Sequence, residues 1–339
     1  MTKVLVTGGA GFVGSAIVRQ LVLDKQVDVL NVDSLTYAAD IKRLAPIMRH
    51  KNYSFEKADI CDASTIKRLL TEYQPDAVIH AAAETHVDRS IDLANPFIRS
   101  NIQGTYILLE SVTHYFAGLD LAKKSHFRYL QVSTDEVYGD MADGDNQLIA
   151  NEAFPFCPSS PYSASKAASD HLVQAWARTY GLPTLVTHSS NNYGPGQNTE
   201  KLIPHMISRA CLGLSLPIYG NGEQVRDWLF VEDNVQGILR VLECGIPGER
   251  YNIGASDRFQ NIEVVQLICD ILDQSGLSKP RHIQSFSELI NHVEDRLGHD
   301  RCYAIDSSKM MNLGWSPKIS FNKGLTLTID SYCNEASFN

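Results

Sequence analysis

The chain has 339 residues, a net charge of −9 and 44 % hydrophobic residues, which suits one large globular domain or two closely packed ones. The acidic balance argues against a nucleic-acid partner, and no apolar run reaches the roughly 18 residues that would predict a membrane span. Seven cysteines lie scattered without CxxC pairs or zinc spacing, so no metal is expected, and the thiols read as reduced in a cytoplasmic setting.

MTKVLVTGG enters a strand directly, so no signal peptide is expected. KVLVT (3–7) is the first predicted strand and 13–23 the first predicted helix. Between them lies VLVTGGAGFVGS, with Gly8, Gly11 and Gly14 spaced GxxGxxG. Glycine permits the tight turn and lets backbone N–H groups reach a pyrophosphate at the helix N-terminus. A bare glycine pattern is often only a turn. Here it opens a strand–helix–strand unit, and Asp33 follows the second strand, VDVLNV (27–32), 19 residues after Gly14. A carboxylate there accepts from an adenosine ribose and repels a 2′-phosphate, which favours NAD over NADP. The alternative is an acidic strand cap.

Further strands are predicted at YSFEK (53–57), DAVIH (76–80), FRYLQVS (127–133) and TLVTHS (184–189). Helical patterns fall at 63–73, 97–115 and 162–180. This cadence implies right-handed crossovers and a parallel sheet covered on both faces. Asp59 and Ile60 end the third strand, and His80-Ala-Ala-Ala-Glu84 ends the fourth with small residues, leaving room for a cofactor at the strand ends. After about residue 190, loops rich in Gly, Pro and Asn alternate with short helices at 202–212, 233–243 and 262–274, which reads as a smaller lobe. The polar segment 142–152 reads as a surface loop.

The fifth strand runs into Thr134, Asp135 and Glu136, a hydroxyl and two adjacent acids where a buried strand stops. A helix N-cap or solvated turn is one explanation. Tyr162-Ser-Ala-Ser-Lys166 places Tyr and Lys on one face of the following helix. A cation beside a phenol favours the phenolate, lowering a pKa otherwise about 10. Such a Tyr removes a proton from a sugar hydroxyl as the carbon yields hydride to NAD, with Thr134 bonding the reacting oxygen. Crowding should push the two acids' pKa values apart, giving the acid/base pair that an elimination needs.

These motifs resemble the extended short-chain dehydrogenase/reductase superfamily and, within it, the nucleotide-sugar 4,6-dehydratases. The likeness runs nearly end to end, through TGGAGFVGS, DSLTYA, HAAAETHVDRSI, STDEVYG, PYSASKAASD, NNYGPGQNTEKLIP, YGNGEQVRDWLFVEDN, YNIG, DRLGHDRCYAID and GWSP. The resemblance implies an α/β fold, a Rossmann-type doubly wound parallel sheet with a smaller C-terminal α/β substrate-binding lobe. Residues 1–190 would be the NAD-binding domain carrying the catalytic residues, and 191–339 mainly the nucleotide-sugar lobe. It implies a homodimer through helices 97–115 and 162–180. It implies NAD as cofactor and dTDP-glucose as the favoured substrate. Tyr162, Lys166 and Thr134 would oxidise C4, Glu136 would take the C5 proton, and Asp135 would protonate the departing C6 hydroxyl.

By the same matching, cofactor contacts fall on Phe12, Val13, Asp33, Ser34, Leu35, Thr36, Asp59, Ile60, Ala81, Ala82, Ala83, Glu84, Thr85, Ser100, Tyr162, Lys166 and Asn192. Substrate contacts fall on Thr85, Thr134, Asn191, Lys201, Leu202, Pro217, Ile218, Tyr219, Arg226, Asn261, Asp295, Arg296, Leu297, Gly298 and His299. Arg226 is the strongest phosphate candidate, its alternative being a structural pair with Asp227 or Glu232. Three places depart from the family pattern. ETHVDRS stands for ESHVDRS, GPGQNTEK for GPYQFPEK, and Leu297 and Cys302 replace Pro and Arg in DRPGHDRRYA. They border the nucleotide-reading region and leave thymine against uracil open. Two other readings compete: a UDP-sugar epimerase or decarboxylase of the superfamily, which leaves the acids unexplained, and a non-catalytic NAD-binding regulator, which would not need Tyr162, Lys166 and both acids.

Overall fold

Runs such as Val4-Leu5-Val6 and Val78-Ile79 are apolar at consecutive positions, as strands buried on both faces require. In the computed structural model, which describes residues 2–336 apart from 144, 145, 278, 280 and 282, they lie in a seven-stranded sheet. Across the sheet the order is Arg250–Ile253, Thr184–Ser189, Arg128–Thr134, Ala77–His80, Lys3–Thr7, Asp28–Asp33 and Tyr53–Lys57, and every pairing is parallel. The chain starts in the middle, winds out to Tyr53–Lys57, then returns and winds the other way. The reversal leaves a crevice between the ends of Lys3–Thr7 and Ala77–His80, where ligands of open α/β sheets sit.

The six predicted strands are present, and the seventh, Arg250–Ile253, comes from the later part of the chain. It pairs Arg250 with Val186 and Ile253 with Ser189. Apolar side chains pack on both faces, one layer around Val4, Ile17, Leu239 and Trp315, the other around Leu5, Leu70, Leu109 and Val173. A separate cluster around Ile207, Ile218, Ile268, Phe286 and Phe321 fills the smaller lobe, whose last helix, Phe321–Ala336, was not anticipated from sequence. Segment 142–152 contains a short pairing of Ala142–Asp143 with Asn146–Gln147, while 144 and 145 lie outside the described residues.

One expected helix differs. Residues 97–115 do not form a single regular helix: Asn95–Phe97 leads into a π-helical turn over Ile98–Gly104, then Thr105–Ala117 is α-helical. The turn lets Asn101 face inward, where its Nδ2 donates to Glu84 O (3.0 Å) and Ser165 Oγ (2.8 Å) and its Oδ1 accepts from Glu84 N (2.8 Å). A period of 3.6 cannot show such a widening, which recurs at functional sites. Helix Pro161–Tyr180 follows its signals closely. Ser160 caps it through Ser163 N (3.1 Å), Pro161 fills the first turn, and Gly181 ends it at φ +65°. A cap of this kind contributes about 1 kcal/mol.

Candidate active site

The crevice opens into a cavity of about 770 Å³ that runs from the glycine turn to the smaller lobe. At its first end Gly8 has φ +74°, and a Cβ there would lie 2.5 Å from Ala82 Cα. A Cβ on Gly14 would lie 2.1 Å from Gly8 O. Helix Phe12–Leu23 begins at Gly11 without a side-chain cap, so its first N–H groups remain for an anion. Asp33 accepts from Ala10 N (2.9 Å) and Leu35 N (2.8 Å), which aims its carboxylate along the cavity edge. Asp59 is desolvated, yet Cys61 N–H and the Arg99 guanidinium (2.6 Å) hold it below the usual carboxylate range.

His80 closes the floor. Its Nδ1 lies 2.7 Å from Thr7 Oγ1 and its Nε2 3.0 Å from Thr105 Oγ1. Thr105 spends its proton on Asn101 O (2.6 Å), so Nε2–H donates and Nδ1 accepts from Thr7. Burial and Lys166 push this imidazole down to about 3, so it stays neutral and ties two strand ends to the helix behind.

Thr134 caps a short 3-10 turn over Asp135–Tyr138, accepting from Glu136 N (3.3 Å). The capping explanation therefore holds, but the turn faces a cavity rather than bulk water. Asp135 is 2 % exposed, and its Oδ2 has no hydrogen-bond partner. Burial, Glu136 and Asp227 raise its carboxyl well above the ordinary range, against the opposing pull of Arg226 and the Thr134 hydroxyl. Glu136 is also raised by desolvation, but Lys201, Arg296 and Arg226 pull it back toward the ionised form. Both acids are therefore raised, but their neighbours differ in balance: Asp135 has two acids and Arg226, Glu136 has three cations and Asp300.

Tyr162 and Lys166 both line the cavity, and Tyr162 bonds Thr134. The expectation of a lowered phenol is corrected here. Burial raises Tyr162 well above its ordinary value, and Glu136 and Asp135 add to the rise. Lys166 is itself lowered by burial and donates to Val132 O (2.8 Å). Placing Lys one turn from Tyr thus does not by itself yield a phenolate in a site with two acids.

In the smaller lobe, Arg226 is 5 % exposed, stacks 4.2 Å over the Tyr303 ring, and donates to Val225 O (2.8 Å) and Asp300 O (2.9 Å). Neither Asp227 nor Glu232 forms an ion pair with it among the described residues, so the structural-pair alternative is not what this fold builds. Asn191, Asn192 and Asn261 each present a buried Oδ1 without a protein partner in the cavity wall. Together with the glycine cradle, which a single Cβ would fill, these atoms fit a dinucleotide and a polar co-ligand.

Of the residues proposed from sequence, four stay off the cavity wall: Leu35, Asp295, Leu297 and Gly298. Leu35 takes φ +57° in the turn that Asp33 organises. Asp295 acts from behind, its carboxylate holding His299 Nδ1 (2.6 Å) and Gln224 Nε2 (3.0 Å). Leu297 is 78 % exposed, and Gly298 turns the loop at φ +62°. The other proposed residues line the cavity, as do His86, Asp88, Glu200, His205 and Tyr303, which sequence reasoning did not single out. Four of these stand inside quoted motifs, but nothing in the local pattern says which way they face.

The GDP-mannose 4,6 dehydratase family profile matches residues 5–328. A dTDP-glucose 4,6-dehydratase of Haemophilus influenzae is 52 % identical over 338 residues, covering 99 % of both chains. The chain belongs to the dTDP-glucose 4,6-dehydratase family. A solved dTDP-glucose 4,6-dehydratase of Bacillus anthracis in complex with NAD superimposes with a TM-score of 0.86 at 38 % identity, covering 100 % of this chain and 98 % of that one. The UDP-glucose 4-epimerase of Thermotoga maritima superimposes nearly as well, with a TM-score of 0.84, 99 % of this chain and 100 % of that one covered, but at 28 % identity. The fold is thus common to dehydratase and epimerase, and the site must separate them.

Proposed function

We propose that this family member dehydrates dTDP-glucose to dTDP-4-keto-6-deoxyglucose with NAD, a step of deoxysugar formation. The observation that carries the reading is that Asp135 and Glu136 stand side by side with Tyr162 on one cavity wall, with more cations about Glu136 than about Asp135. An epimerase needs no such pair.

The glycine turn, Asp33 and Asn192 would hold NAD, which supplies a hydride acceptor for C4, a positive charge beside the phenol, and the hydride that returns to C6. Tyr162, bonded to Thr134, takes the C4 hydroxyl proton. The phenol of this structure is raised, so it becomes a base only when positive charge stands near it. The resulting ketone acidifies the C5 hydrogen, and Glu136, held toward ionisation by its three cations, removes it. Asp135, its carboxyl raised by burial, delivers a proton to the C6 oxygen and water leaves; as the hydride returns to C6, Glu136 gives its proton back to C5. Arg226 holds the diphosphate, and Asn261 with the loop carrying Arg296 and His299 holds the nucleoside.

Incubation with dTDP-glucose and, separately, UDP-glucose tests this by product mass. Loss of one water supports the dehydratase, and the faster substrate names the base. A new sugar of unchanged mass would replace the reading with an epimerase. We also place the enzyme in the cytoplasm as a homodimer. No helix of the described residues is long and apolar enough to cross a membrane, and sedimentation would test the dimer.

A further inference from the structure

The segment that departs from the family pattern, residues 194–201 (GPGQNTEK), is tied down at both ends. At one end Arg43 donates from Nε to Gly196 O (2.6 Å) and from its NH1 nitrogen to Ala10 O (3.2 Å) and Ala38 O (3.1 Å). One guanidinium therefore joins this segment to the glycine turn and to the loop after Asp33. Gly196 takes φ +75°, a conformation that an aromatic residue adopts only with strain. At the other end Glu200 lies 3.7 Å from Arg89 and 3.8 Å from His86. His86 Nδ1 accepts from Arg89 N (3.3 Å), so its Nε2–H faces Glu200. Arg89 in turn covers the Tyr37 ring at 3.7 Å, and Tyr37 bonds Glu84 on the cavity wall.

Between these ends, Gln197, Asn198 and Glu200 line the same cavity as Gly8, Gly11 and Gly14. Gln197 is braced from behind, its Nε2 donating to Asn192 O (2.7 Å) and its carbonyl accepting from Tyr332. Lys201 Nζ donates to Thr85 O (2.7 Å), closing the seam to the loop after the fourth strand. The cavity wall beside the glycine turn thus includes the strand ends and this segment, and the two arginines hold the segment from outside the cavity.

We propose that residues 194–201 are a strap over the cofactor channel, latched by Arg43 and Arg89, and that the strap retains the cofactor through each turnover. The inference rests on the function proposed above. That reaction removes a hydride and returns it to the same sugar, so a cofactor that escaped midway would strand an oxidised intermediate. Closing a channel acts on escape rather than on contact, and it therefore slows dissociation. The two latches differ in kind. Arg89 meets a carboxylate and a ring at the surface, which salt screens. Arg43 meets three carbonyls, which salt affects little.

The test is release of isotopically labelled NAD from the full-length protein, chased with unlabelled NAD, for the unmutated chain, Arg43→Ala, Arg89→Ala and Arg89→Lys. Loss of the part-buried three-carbonyl latch should speed release by about tenfold or more. Loss of the surface latch should speed it by roughly threefold to fivefold, with Arg89→Lys falling between. Raising salt should speed release from the unmutated protein and from Arg43→Ala, but not from Arg89→Ala. Thermal melting run alongside separates latch loss from unfolding: an Arg43→Ala chain that melts early is set aside, and Arg89→Ala decides. Release unchanged in folded Arg89→Ala would overturn the strap while leaving the cofactor reading standing. An unmutated chain that binds no NAD would overturn both.

Discussion

The two ends of the cavity are built differently. The cofactor end is made of backbone: a glycine turn, an uncapped helix start, and strand ends brought side by side by the parallel sheet. The sugar end is made of side chains, Lys201, Arg226, Asn261, Arg296, His299 and Tyr303, that converge from segments about a hundred residues apart. A backbone site tolerates no added atom where the chain passes close. A side-chain site can lose one contact and keep the rest. The first should fail all at once, the second in steps.

Gly14→Ala is the sharpest way to break the comparison. Its Cβ would collide with Gly8 O, and NAD affinity should fall roughly a hundredfold or more by calorimetry, a shift the backbone must make wherever a Cβ cannot fit. Unchanged affinity would mean that the turn yields easily and that the cofactor end is not rigid. Glu136→Gln comes next when ranked by effect on turnover. Dehydration should drop by about a hundredfold or more, as for loss of a general base, while nucleotide-sugar binding is retained. Near-normal turnover would take Glu136 out of the mechanism.

Arg226→Lys probes the sugar end more gently. It keeps the charge but loses the fork and the stacking on Tyr303, and should weaken dTDP binding by roughly tenfold without touching NAD affinity. If NAD binding falls equally, the two ends are not independent. The smallest effect is a displaced pH limb. In the proposed mechanism Glu136 acts ionised; burial raises its carboxyl, and Lys201 is the first of the cations that oppose the rise. Lys201→Met should therefore raise the Glu136 carboxyl further and move the acid limb of turnover to higher pH. A limb that stays in place would assign it to another group.

Much of the cofactor end was legible because its signals are local. Gly8, Gly11, Gly14 and Asp33 lie within one strand–helix–strand unit, and Tyr162 and Lys166 within one turn of a helix whose cap is written in Ser160 and Pro161. The π-helical turn over Ile98–Gly104 was not legible, because a widened turn leaves the apolar spacing almost unchanged. Nor was the direction of the Tyr162 shift. A Lys one turn away argues for a phenolate, but burial and Glu136, which reaches Tyr162 from the end of a neighbouring strand, outweigh it.

The sequence by itself determined the alternation of strands and helices, the glycine turn, and which residue types stood at the strand ends, because each follows from steric or periodic rules acting over a few residues. Tertiary structure alone decided that Arg250–Ile253 joins the main sheet, that Leu297 faces outward while Arg296 and His299 face the cavity, and that Arg43 and Arg89 meet the same segment at Gly196 and Glu200. Those outcomes depend on which distant surfaces bury one another, and on charges brought together only by that burial. The acid pair belongs to both: two acids in a row are read from the chain, and the fold buries both and places more cations about Glu136 than about Asp135.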